Sequence, residues 1–131
     1  MLTRRLVPVT AAGTLALAAV LVPAAAQAAP THTIAEVQGT GAVTPLLGTT
    51  VTVQGVVTAD HRTGGYAGIY VQTPGSGGEA DATPGASDGV FVYLGSRTTP
   101  AQIGDLVEVT GTASEYFGLT QINASGAPDL V

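Results

Sequence analysis

Six aromatic rings carry most of the chemical possibility in this chain: Tyr66, Tyr70, Phe91, Tyr93, Tyr116 and Phe117. Rings placed two residues apart on neighbouring strands form a platform on which flat ligands can stack, and each is worth about 1–3 kcal/mol against a nucleic-acid base. Arg62, in the segment leading to Tyr66, could meet a phosphate or stack on a base itself. Tyr70, Tyr93 and Tyr116 are the best-placed contacts, with Tyr66 and Arg62 beside them. The competing reading makes Phe91 and Phe117 core residues and the tyrosines amphipathic covers.

Other reactive side chains are too scattered to assemble a catalytic centre. His32 lies near the start of the mature chain, and His61 sits in a turn beside Asp60. Acid–base or metal chemistry needs several convergent groups, and adjacent residues at a strand end point in different directions. The serines lie in loops without a partnered base. Glu79, Asp81 and Asp88 offer oxygen ligands, but their spacing matches no calcium-binding loop, so a solvated acidic loop is the preferred reading. No cofactor is expected for this chain, and it is not expected to be an enzyme alone.

Composition narrows the partners. Residues 1–28 open with Arg4 and Arg5, continue through an apolar run over residues 6–22 and end in Ala26-Gln27-Ala28, the order of a secretory signal peptide. Pro8 and Pro23 and the lack of a basic stop-transfer cluster argue against a membrane anchor, and the surroundings of Arg4-Arg5 fit a twin-arginine signal poorly. The expectation is a secreted, extracellular protein with no stable membrane association after cleavage. The remaining 103 residues suffice for one small domain. They hold nine carboxylates against Arg62 and Arg97, a formal charge of −7, and no lysine. That balance opposes simple electrostatic attraction to nucleic acid. The absence of cysteine excludes a disulfide framework and thiolate metal sites.

The elements that must position the rings read as strands. Residues 51–59 (VTVQGVVTA) alternate with period two across Gly55. A glycine inside a strand marks a bend, bulge or close approach. One long strand bent there can serve both sides of a small closed barrel. Residues 66–73 and 89–94 alternate next, then 106–113, a hairpin connection over 114–118 and a short closing strand over 119–122. Residues 34–39 could form a helical turn or a short strand. Residues 40–50 read as a loop whose Leu46 and Leu47 plug one end of the barrel. Residues 74–88 contain no apolar side chain larger than alanine and read as a surface excursion. Residues 95–102 read as another loop, with room for a helical turn after Pro100.

Five strands with unequal loops predict an all-β, five-stranded OB-fold-like Greek-key barrel. An immunoglobulin-like sandwich is the second choice but would need about seven strands. The expected organisation is a leader (1–28), an N-terminal extension (29–50), the barrel (51–123) and a linker or truncated end (124–131). In this fold the second and third strands, with the loops between strands one and two and between four and five, usually form the ligand surface. All six rings then fall near that surface.

The motifs also resemble a family. IAEVQG at 34–39, PLLG at 45–48, VTVQGVVT at 51–58, IYVQ at 69–72, DGVFV at 88–92, GDLVEVTG at 104–111 and SEYFGLTQI at 114–122 resemble, in order, the OB-fold-like domain of secreted bacterial nucleases. There the domain lies between a signal peptide and an endonuclease/exonuclease/phosphatase-type catalytic domain. The resemblance implies an accessory domain that binds or orients nucleic acid for a catalytic domain absent from these residues; the charge of −7 makes the expected binding of DNA or RNA weak, with single strands the expected form. Only that absent domain would need a divalent metal. No catalytic residue carries over, and the chain ends about where the linker to that domain would begin, as a truncated product or an isolated accessory domain would. The alternative is a protein–protein module that docks on the nuclease domain or on another secreted protein, with an acidic surface that complements a basic body.

Overall fold

The computed structural model describes residues 29–76 and 81–131; the leader expected at 1–28 lies outside the described residues. The chain runs through a five-residue helix, α1 (Ile34–Gln38), and strands β1 (Thr50–His61), β2 (Gly68–Gln72), β3 (Gly89–Tyr93), β4 (Leu106–Tyr116), β5 (Leu119–Ala124) and β6 (Asp129–Leu130). Strands pair in the order β1-β2-β3-β5-β4, and β4 returns to β1. This closes a five-stranded barrel in which β3 and β5 are parallel and the other neighbours antiparallel. It is the OB-fold-like Greek-key arrangement, all-β apart from the one short helix.

Strand β1 belongs to both halves of the barrel, as its glycine suggests. Residues Thr50 to Val56 pair with β4, and Val56 to His61 pair with β2, with a register shift between Val57 and Ala59. At Gly55 a Cβ would stand 3.0 Å from the end of Ile34 and 3.1 Å from Val71. A side chain there would crowd both, so the glycine lets the strand pass from one partner to the other without displacing them.

Period two sorts each strand into an inner and an outer face. Val51, Val53, Val57, Ile69, Val71, Val90, Val92, Val107, Val109 and Ile122 point inward and are almost fully buried. Branched, mid-sized side chains fill so narrow a barrel without large voids.

Helix α1 resolves the choice left open at residues 34–39. Thr33 caps it, with its hydroxyl accepting the Glu36 N–H while the Glu36 carboxylate accepts the Thr33 N–H. The Thr33 backbone N–H and then the Thr33 hydroxyl, both donating to the Glu36 carboxylate, hold its pKa below the ordinary value. Ile34 and Val37 join the barrel core, so the segment expected as an extension completes the interior. Thr44 donates its hydroxyl to the Val37 carbonyl, and its N–H to Glu115 at 2.8 Å, tying the following loop to β4.

Four local expectations change. Leu46 packs on the core but Leu47 is 59% exposed, so one leucine, not two, helps to close that end. Residues 114–116 extend β4, which leaves only Phe117 and Gly118 in the hairpin turn. The stretch expected as a linker or truncated end carries β6, which pairs with Val107 and Glu108, and the Pro128 carbonyl accepts the Thr99 hydroxyl. The turn expected after Pro100 falls at Ile103-Gly104 instead, and Ala101 enters the core.

Candidate functional site: an aromatic groove on the barrel wall

The outer face of β2, β3 and β5 carries the rings. Tyr70 lies opposite Phe91 across the β2–β3 ladder, while Gln121 and Asn123 lie opposite Phe91 and Tyr93 across the parallel β3–β5 ladder. These side chains, with Tyr66 from the β1–β2 loop and Tyr116 from the end of β4, line an open depression of about 880 Å³. Tyr66, Tyr70, Tyr93 and Tyr116, which the sequence separates by up to fifty residues, thus share one surface.

Phe91 forms the floor. Its ring is buried although it points outward, because β2 supplies a glycine beneath it. A Cβ at Gly68 would lie 2.2 Å from the Phe91 ring and 2.5 Å from the Val92 carbonyl oxygen. Tyr70 packs on this floor with ring centroids 5.0 Å apart. The expectation that Phe91 is buried holds, but it lies under the groove and not inside the barrel.

His61 joins the rings, contrary to its reading as a loop histidine. It ends β1 and meets Tyr66 and Tyr70 edge to face, at centroid distances of 5.8 and 5.7 Å. Its role is to brace the two tyrosines at one end of the depression. Gly64 and Gly65, both with positive φ, turn the intervening loop back so that Tyr66 reaches it.

Arg62 stands apart from this surface. Its guanidinium makes two bonds to the Asp60 carboxylate, at 2.9 and 2.6 Å, and a third to the Thr99 carbonyl at 2.8 Å. The guanidinium and then the Arg62 backbone N–H draw the Asp60 carboxyl down to about 2. Arg62 thus anchors the β1–β2 loop to the loop before β4, and it is not among the groove residues.

Strand β5 adds two amides to the lining. Gln121 is 7% exposed, and its amide N–H donates to the Asn123 side-chain carbonyl at 2.6 Å. That leaves the Gln121 carbonyl and the Asn123 amide N–H groups to meet a ligand. The spacing of β5 contained this pair, but its place beside Phe91 and Tyr93 depends on the parallel closure with β3, which no local pattern announces.

Among the acids, Glu79 lies outside the described residues. Asp81 accepts the N–H of Thr83 at 2.8 Å, and Asp88 lies 3.4 Å from the Thr83 hydroxyl. No group of three or more metal-ligating side chains occurs among the described residues, and no described helix is long and apolar enough to cross a membrane.

Neither a family model, nor a curated protein, nor a solved structure matches this chain. The geometry of the groove therefore has to speak for itself.

Proposed function

We propose that this barrel is a non-catalytic accessory module of a secreted nuclease, which holds a single strand of DNA or RNA across the aromatic groove for a catalytic domain not contained in these 131 residues. The observation that carries the reading is the convergence of Tyr66, Tyr70, Tyr93 and Tyr116 over the Phe91 floor. Stacking on such rings is tolerant of sequence, as a module that feeds a nuclease requires. The ordered motif resemblance supports the nuclease context.

Charge dictates how the strand must lie. No lysine or arginine lines the groove, and its polar groups are amides, phenols and the His61 imidazole. Bases therefore face the protein and phosphates face solvent, where ions neutralise them. A strand held this way displaces few condensed counterions, so the usual steep loss of affinity with salt has no source. Salt also screens repulsion between the acidic protein and the phosphates. The same acidic surface suits a basic catalytic body as its neighbour.

The test is fluorescence anisotropy of labelled single-stranded DNA and RNA with the purified protein, from about 50 to 200 mM salt. The expected result is saturable binding whose affinity is flat or rises across that range, and which Tyr93→Ala weakens. Absence of saturable binding at every salt concentration overturns the reading, and would turn attention to docking on a protein partner. A steep loss with salt overturns the base-inward geometry.

A further inference from the structure

We infer that Phe117 is a stacking finger: a binding residue at the tip of the β4–β5 hairpin that receives the base lying just beyond the groove. The inference rests on the proposed function and adds a ligand contact outside the groove lining.

Phe117 is poorly suited to the fold it sits in. Tyr116 and Leu119 pair across the hairpin, so Phe117 and Gly118 are its entire two-residue loop. Both have positive φ, 48° and 82°. A turn with two positive φ values is the type I′ hairpin turn, which favours Asn-Gly or Asp-Gly. Gly118 meets that preference, whereas a bulky L-residue at position 117 opposes it. Nothing in the barrel compensates, because Phe117 is 95% exposed.

What the ring does touch is the groove. It stands edge to face against Tyr116, at a centroid distance of 4.7 Å and an interplanar angle of 87°, and Tyr116 lines the groove. The exposed rings thus continue from Tyr93 through Tyr116 to the hairpin tip. A strand stacked on the tyrosines reaches Phe117 with its next base. An exposed aromatic ring in an unfavourable turn conformation is accounted for by a flat ligand that covers it. The same loop, between the fourth and fifth strands, borders the ligand surface of this fold in general.

The test is Phe117→Asn, which installs the Asn-Gly turn. The expected result is a higher melting temperature together with an affinity for labelled single-stranded oligonucleotides lowered about five- to tenfold, the lower end of what base–aromatic stacking contributes. A gain in stability joined to a loss of binding separates ligand contact from a role in folding. Phe117→Trp, which keeps a flat ring, is expected to bind at least as tightly as the parent. If the parent binds and Phe117→Asn binds equally well, the finger is refuted while the groove reading stands. If the parent does not bind at all, both fall together.

Discussion

The closed sheet has two outward walls, and they differ in what they leave unfinished. On the β1–β4 wall two polar pairs meet across the ladder: Thr52 with Thr110 at 2.9 Å, and Gln54 with Glu108 at 3.0 Å. Strand β6 lies along the edge of that wall, and Glu108 is buried. On the β2–β3–β5 wall Tyr70, Phe91 and Tyr93 hold outward positions and Tyr66, Tyr116 and Phe117 border them, with Tyr66, Tyr93, Tyr116 and Phe117 exposed. The inner faces of the two walls are alike in being packed with aliphatic side chains, chiefly valine. Stability of the barrel therefore accounts for the interior and for the β1–β4 wall, while the aromatic wall has capacity beyond what the fold uses. The proposed strand binding draws on that surplus.

The comparison can be broken by changing the inner and outer faces of the β2–β3 wall. Ile69 faces inward and is almost fully buried; Ile69→Ala is expected to cost about 3 kcal/mol of stability through lost burial and the cavity left behind, read by denaturant unfolding. Tyr93 faces outward and is 41% exposed. Tyr93→Ala is expected to cost less than about 1 kcal/mol of stability but about 2 kcal/mol of single-strand binding, read by anisotropy. Equal stability losses from the two substitutions would remove the distinction between them.

A change on the opposite wall sharpens the contrast. Gln54→Ala leaves the buried Glu108 carboxylate without its amide donor, and is expected to cost roughly 1.5 kcal/mol of stability with no change in oligonucleotide affinity. Thermal unfolding and anisotropy on the same preparation check both halves.

The smallest expected effect concerns pH. Asp60 is held at about 2, against an ordinary value of 3.8, by hydrogen bonds from Arg62. A depressed carboxyl contributes stability that is complete above about pH 4 and is lost as pH falls through about 2. The pair lies at the surface, so the effect is slight. Asp60→Asn is expected to flatten the dependence of the unfolding midpoint on pH across that window and to leave groove binding unchanged, since neither Asp60 nor Arg62 lines the groove.

What the sequence disclosed, and what it concealed, follows from how local each signal is. The alternation of valines exposed the strands, and Gly55 marked where β1 passes between partners, because both are properties of a few consecutive residues. Convergence of the four tyrosines was legible once five strands were assumed to close. For Phe117 a core position was the competing reading; the two-residue length of the turn, set by the pairing of Tyr116 with Leu119, puts it outside. Gln121 and Asn123 were missed because their neighbours come from the parallel contact between β3 and β5, a non-local pairing. Arg62 looked available as a cation, yet Asp60 two residues earlier takes up its fork. Residues 124–131 looked like a tail because a strand as short as β6 has no periodicity to show.

The central claim is that one wall of the barrel binds a single strand and the other does not. Its most direct test is an NMR titration of the isotope-labelled protein with a short single-stranded oligonucleotide, following backbone amides together with the aromatic rings. The account expects shifts concentrated at Tyr66, Tyr70, Phe91, Tyr93, Tyr116, Gln121 and Asn123, with Thr52, Gln54, Glu108 and Thr110 unmoved. Shifts centred on the β1–β4 wall, or none at saturating oligonucleotide, would contradict it.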